Sequence, residues 1–292
     1  YGHLVKLLRR EPPLGGARAQ RDDLEGMRAL VDEVEGSYLF VQGPPGAGKT
    51  WTGARLITHL LARGKRIAVA SQSHKAIHKL LSEVEAAAQE GGLTFRGLKK
   101  ASSGNDESFY RSADNASGSE PQSDRDADED GPIRNVTDAD AFIEADEELF
   151  AGTAWLLTRE ELDGKLDYLF VDEAGQTSLA DALALGTCAR TIVLLGDPVQ
   201  LAQVTQGVHP GDAGRSVLRH LLSERPTVAE DMGLFLERSF RMHPDVCEFI
   251  SDVFYEGRLR SDDACARQGS SFGTGIRWLP VEHVGNSTSS EV

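Results

Sequence analysis

Short apolar runs alternate with stretches of helical spacing along most of this chain. Tyr38-Leu39-Phe40-Val41 and the run from Arg66 to Ala70 read as strands, at 38–42 and 66–70, followed by helices at about 49–62 and about 74–89. In the second helix Ala76, Ile77, Leu80, Leu81 and Val84 share one face. Three further runs, Ala151 to Leu157, Leu166 to Val171 and Thr191 to Leu195, predict strands, with a helix at about 178–186 between the last two. Continuous apolar runs, in place of alternation, mark strands covered on both faces. The pattern predicts an α/β fold with a parallel sheet over 38–225, behind a lead-in over 1–37. Beyond it, Leu234-Phe235-Leu236, a helix at about 244–254 and a strand at 276–281 predict the start of a second α/β unit over 226–292.

Between the first strand and the first helix stands Gly43-Pro44-Pro45-Gly46-Ala47-Gly48-Lys49-Thr50, which matches the phosphate loop G-x-x-x-x-G-K-[ST] in the strand–loop–helix context that motif needs. Its glycines let backbone N–H groups turn inward at a helix N-terminus. Lys49 then places a charge on the β- and γ-phosphates, and Thr50 offers a hydroxyl to Mg²⁺. A nucleoside triphosphate is the ligand this implies.

Asp172-Glu173 ends the Leu169-Phe170-Val171 strand, at the edge where open α/β sheets bind ligands. Two adjacent carboxylates there divide the work: Asp172 holds Mg²⁺, and Glu173 orients and deprotonates the attacking water. The next strand ends in Gly196-Asp197-Pro198-Val199-Gln200, which makes Gln200 a sensor of the γ-phosphate. Ser71-Gln72-Ser73-His74-Lys75 opens a helix after the second strand, where hydroxyls and terminal amides can grip a nucleic-acid phosphate. Ser73 also suits an ordinary N-cap.

Charge changes the picture only locally. The formal net charge is −15, yet residues 101–150 alone hold 15 acidic and 3 basic side chains, which leaves the rest of the chain near balance. Binding of nucleic acid follows the local field, so the total excludes nothing. Residues 101–140 are rich in Ser, Asp, Asn and Glu and poor in aliphatic residues. With the flank to 148 they predict a disordered inserted loop, or else an acidic flap over a binding groove. The 40% hydrophobic composition suffices for a core. No apolar run approaches membrane length and no signal peptide is evident, so a cytosolic protein without a membrane partner is expected. Cys188, Cys247 and Cys265 are widely spaced, which argues against a disulfide framework or a structural zinc site. The chain opens on Tyr1 and stops one residue after Thr288-Ser289-Ser290-Glu291, a helix-opening capping box, and this suggests a piece of a longer protein.

With the phosphate loop, Asp172-Glu173-Ala174-Gly175-Gln176, Gly196-Asp197-Pro198-Val199-Gln200-Leu201 and Arg238-Ser239-Phe240-Arg241-Met242-His243-Pro244 in this order, the chain resembles superfamily 1 helicases. Within these it is similar to the 1B branch of nonsense-mediated-decay helicases and replication helicase/nucleases. The likeness covers about 38–81 and 150–285, and the segment from Ser239 to Leu259 is its most specific part.

The resemblance implies a RecA-like P-loop NTPase fold, with a first RecA-like domain and the beginning of a second. It implies ATP with Mg²⁺ as the cofactors. Glu173, Gln200 and Arg241 become the catalytic residues, with Arg241 an arginine finger, and Phe240, where Tyr is usual, becomes a ring that stacks on the base. Ser73, His74 and Lys75 resemble the family's motif Ia, and Gly152-Thr153 its motif Ib, so these residues and the Thr153 hydroxyl would touch the strand. The family's adenine-reading glutamine has Gln20 as its candidate, 23 residues before Gly43. The expected function is ATP-driven movement along single-stranded nucleic acid, DNA before RNA, since the closest likeness is to bacterial proteins that join such a motor to a RecB-type nuclease. The rival readings are an RNA helicase and a nucleotide-dependent switch that binds a protein partner without translocating. A small-molecule kinase fits less well, because Glu173 poises a water instead of an acceptor.

Overall fold

The computed structural model describes residues 1–112, 131–200, 211, 213–269, 271, 273–278 and 280. Helices α1 (Gly2–Arg9) and α2 (Leu24–Glu33) precede β1 (Tyr38–Gln42), α3 (Lys49–Leu61), β2 (Ile67–Ala70), α4 (His74–Gly91) and β3 (Gly97–Lys100). Next come β4 (Ile133–Val136), α5 (Ala139–Glu144), β5 (Leu149–Gly152), α6 (Ala154–Leu157), β6 (Leu166–Val171), α7 (Leu179–Leu185) and β7 (Ala189–Gly196). The described part closes with α8 (Val217–Leu222), β8 (Gly233–Phe235), β9 (Arg238–Ser239), α9 (Pro244–Phe254) and β10 (Arg260–Ser261).

Eight strands form one sheet in the order β4-β3-β5-β2-β6-β7-β1-β8, and every pairing in it is parallel. Successive strand residues point to opposite faces, and the core divides accordingly. Tyr38 and Phe40 of β1 pack with Leu7 of α1, Leu185 of α7 and Leu218 of α8. Leu39 and Val41 pack with Leu30 of α2, Ile57 of α3 and Leu80 of α4. The result is a three-layer α/β/α domain whose inner strands, such as β1, β2 and β5, are buried on both faces, as the uninterrupted apolar runs require. Side-chain caps fix several helix starts; at α2 the Asp23 carboxylate accepts from the Gly26 amide (2.7 Å), and at α4 the Ser73 hydroxyl accepts from the Ala76 amide (3.2 Å).

Several expectations are corrected. Leu234 and Phe235 do not open a second unit; they lie in β8, which extends the first sheet beside β1. Both side chains are buried, and the pairing covers an edge that β1 would otherwise expose. Gly233 permits the approach, because a Cβ there would run into the Phe40 carbonyl. The apolar run at 151–157 divides into the end of β5 and the short helix α6. The acidic insert is ordered at both flanks: β4 pairs with β3, while Ile133 and Phe142 are buried, so a few apolar residues and a backbone ladder suffice there. Its centre, 113–130, lies outside the described residues, as does the capping box at 288–291. Of the expected strand at 276–281, residues 276–278 are exposed and form no strand.

One buried charge links the insert's flank to α4. The Lys99 side chain is fully buried, and its Nζ donates to the carbonyls of Lys100 (2.6 Å) and Ser108 (3.0 Å) and to His74 Nδ1 (3.1 Å). Burial, with the Lys100 charge second, pushes its pKa from 10.5 down to about 8. The unfolded chain therefore holds this proton to higher pH than the folded one, and unfolding takes up a proton between about pH 8 and 10.5. Stability against denaturant rises with pH across that window, and more steeply in the parent than in Lys99→Met. Equal slopes for the two proteins would refute the assignment.

Candidate nucleotide-binding site

The phosphate loop leaves the C-terminal end of β1, between β7 and β8, and is tied to both. The Gly43 amide donates to the Gly196 carbonyl (3.0 Å), and the Leu236 amide donates to the Gln42 carbonyl (2.9 Å). Inside the loop the Pro44 carbonyl accepts from the Ala47 amide (3.0 Å). Gly46 has φ 77°, a left-handed conformation, and a Cβ there would meet the Cβ of Arg241. Lys49, Thr50 and Trp51 open α3, so their amides have no acceptor within the helix and carry its positive end. Lys49 Nζ donates to the Gly43 carbonyl (2.8 Å), folded across the concavity that a phosphate would enter.

Asp172 and Glu173 stand at the tip of β6, two strands from β1. Asp172 is 3% exposed, and its Oδ1 accepts from the Glu173 amide (2.9 Å). Burial first, and the neighbouring Glu173 charge second, push the Asp172 carboxyl up to about 6, against the opposing pull of Lys49. Glu173 adopts φ 53°, rare for a residue with a side chain. Such a backbone costs about 1–3 kcal/mol and recurs at functional sites.

A cavity of about 430 Å³ joins Thr50 to Asp172, Glu173, Ser73 and Lys75, so five residues singled out in the sequence meet there. Ser71, Gln176 and Lys79 also line it. Lys79 escaped the sequence reading although it lies one turn after Lys75 on α4, a spacing that puts both on one face. The Ser71 Oγ is buried without a hydrogen-bond partner. That orphaned hydroxyl, the Thr50 hydroxyl and a buried carboxylate form a set of hard oxygen donors that suits Mg²⁺.

The remaining candidates lie elsewhere. Gln200 does not line this cavity; its Nε2 reaches Asp197 Oδ2 at 3.4 Å. Asp197, 1% exposed at the tip of β7, also accepts from the Val199 amide (3.1 Å) and from the Tyr255 hydroxyl (2.7 Å), which ties the sheet to the end of α9. The Ser239 Oγ donates to the Pro45 carbonyl (3.2 Å) and the Phe240 amide to the Gly46 carbonyl (2.9 Å), so Ser239-Phe240-Arg241 lies on the loop. The Phe240 ring lines a second cavity beside Gly46, Ala47 and Gly48. His74 turns to Lys99, and burial lowers its pKa. Thr153 caps α6 without a side-chain hydrogen bond. His243 and Pro244 serve the start of α9, the former accepting from the Asp245 amide (3.2 Å). Among the described residues no cluster of His, Cys, Asp and Glu forms a further metal site, and no helix is long and apolar enough to cross a membrane.

A parallel sheet with a phosphate loop at the tip of one inner strand and an Asp-Glu pair two strands away defines a RecA-like P-loop nucleotide-binding domain. A family model described as an AAA domain, AAA_30, matches residues 24–230, and the chain belongs to that family. It is 28% identical over 287 residues to the ATP-dependent helicase NAM7 of Saccharomyces cerevisiae, a match that covers 90% of this chain and 29% of that protein. It is 26% identical over 224 residues to the DNA replication ATP-dependent helicase/nuclease JHS1 of Arabidopsis thaliana, covering 76% of this chain and 15% of that protein. The chain thus spans less than a third of the length of these relatives. Among solved structures, the arterivirus nonstructural protein 10 helicase in complex with DNA aligns at 18% identity with a TM-score of 0.44, over 77% of this chain and 41% of that one.

Proposed function

We propose that this chain is the ATP-hydrolysing core of a superfamily 1B helicase: a first RecA-like domain and the beginning of a second. Movement along single-stranded nucleic acid, DNA in preference to RNA, is the work it drives. The observation that carries this reading is a phosphate loop that shares a cavity, at Thr50, with the Asp172-Glu173 pair and is bonded, at Pro45 and Gly46, to the Ser239–Arg241 segment. The likeness to NAM7 and JHS1 supports it, and JHS1 supports the expectation of a nuclease partner, here of RecB type, together with the rest of a second RecA-like domain.

ATP binds with its phosphates over the amides that open α3, while Lys49 exchanges the Gly43 carbonyl for the β- and γ-phosphate oxygens. Thr50 and Asp172 would hold Mg²⁺, which would supply charge neutralisation on the phosphates. Glu173 orients a water and accepts its proton at the carboxylate. Arg241, carried by the segment bonded to the loop, places its guanidinium against the γ-phosphate as charge develops. Gln200, through Asp197 and Tyr255, links the sheet's tip to α9. Ser73, Lys75 and Thr153 hold the strand by its phosphates.

The test is phosphate release from ATP with and without single-stranded DNA or RNA. Turnover rises with either strand and more with DNA. Turnover indifferent to both would overturn the translocase reading in favour of the protein-binding switch.

A further inference from the structure

The second cavity, about 860 Å³, contains Gly46, Ala47 and Gly48 of the phosphate loop but neither Asp172 nor Glu173. It is therefore where the nucleoside end of a triphosphate would lie once its phosphates rest on the loop. Its lining includes Leu24 and Met27 of α2, Trp51 of α3 and the Phe240 ring. Gln20 is the only side-chain amide among the described lining residues, and it is already spent. Its Oε1 accepts from the Phe235 amide (2.8 Å) and its Nε2 donates to the Phe235 carbonyl (3.1 Å), with the side chain 5% exposed. Reading adenine requires one free amide donor and one free acceptor together. Gln20 instead acts as an extra rung on β8, fastening the lead-in to the sheet's edge.

Several charged neighbours are engaged as well. Arg21 pairs with Glu33, the Asp23 carboxylate caps α2, and Arg238 pairs with Asp262. Asp22, Thr52, Glu237 and Arg260 also line the cavity, and the surface on which a base can pack is aliphatic, with the Trp51 and Phe240 rings. Stacking on a ring is tolerant of base identity, because every base has a π-face.

We propose that this site holds its nucleobase by packing against Leu24, Met27, Trp51 and Phe240, without hydrogen-bond reading by Gln20, and therefore accepts purine and pyrimidine nucleoside triphosphates alike. The proposal rests on the triphosphate site argued above and names its substrate class. A pocket that discriminates only by shape separates related ligands by about 10–200-fold, whereas one built to hydrogen-bond its ligand rejects the wrong one by about 10⁴-fold or more.

The experiment is calorimetric titration of the chain with ATP, GTP, CTP and UTP, each with Mg²⁺, and with inorganic tripolyphosphate. The four nucleotide Kd values are expected within about tenfold of one another, all tighter than tripolyphosphate. Phe240→Ala should weaken all four together. Gln20→Ala should lower Tm yet leave the ratio of ATP to GTP affinity unchanged. An ATP preference above about a hundredfold, or a ratio that collapses in Gln20→Ala, would overturn the inference. Tripolyphosphate binding as tightly as ATP would remove the base from the cavity and overturn it too. Failure of every triphosphate to bind, or binding indifferent to Lys49→Ala, would overturn the triphosphate site itself. The four-nucleotide comparison on the unaltered chain decides the matter even if a variant fails to fold.

Discussion

Glu173→Gln binds ATP as tightly as the parent and hydrolyses it about 10²–10⁴ times more slowly, the contribution of a positioned general base. The substitution keeps the shape and length of the side chain, so the left-handed backbone at 173 and the hydrogen bond from its amide to Asp172 survive. What is lost is the proton acceptor. The amide is also neutral, which removes the charge that helps to hold the Asp172 carboxyl high, so the Asp172 pKa should fall. Single-turnover phosphate release, with nucleotide affinity measured separately, checks both halves. Hydrolysis above about a tenth of the parental rate would show that another group takes the proton.

Arg241→Ala is expected to cost about 10³–10⁵ in kcat, the range seen when an arginine that stabilises phosphoryl-transfer charge is removed. The segment's anchorage to the loop runs through the Ser239 hydroxyl and the Phe240 amide, not through the guanidinium. Loop geometry and ATP affinity should therefore hold while the rate collapses. Arg241→Lys should restore little, since a point charge does not reproduce the planar fork. A rate within about tenfold of the parent would exclude the finger role, whereas a matching loss of ATP affinity would make Arg241 a ground-state binder.

The inner strands and the candidate residues at their tips were legible because their signals are local. A strand buried on both faces shows an uninterrupted apolar run, and the loop motif fixes its flanks: β1 spans Tyr38–Gln42 and α3 begins at Lys49. Asp172 and Glu173 could be placed because the strand before them is apolar to its last residue. β8 was misassigned for a different reason. Its three residues carry no register of their own, and their neighbour is set by the space left beside β1, nearly two hundred residues away. β4 hid within acidic sequence because an edge strand needs little apolar surface. The roles of Gln20 and His74 depend on partners distant in sequence, Phe235 and Lys99. A glutamine that reads a base and one that fastens a strand look alike until the partner is seen.

The place of β1 in the sheet also orders the birth of the site. Its two neighbours are β7, paired from Tyr38↔Ile192 onward, and β8, reached at Gln42↔Phe235. During synthesis the phosphate loop leaves the ribosome well before its sheet partners, and its strand has nothing to pair with until residue 192 and is not enclosed until residue 235. Loop closure over such separations is entropically costly and slow. At about 5–20 residues per second the nascent loop waits roughly ten seconds or more. For that interval an apolar strand with unpaired edges stands exposed, and this domain depends most on protection from aggregation while its own message is still being read.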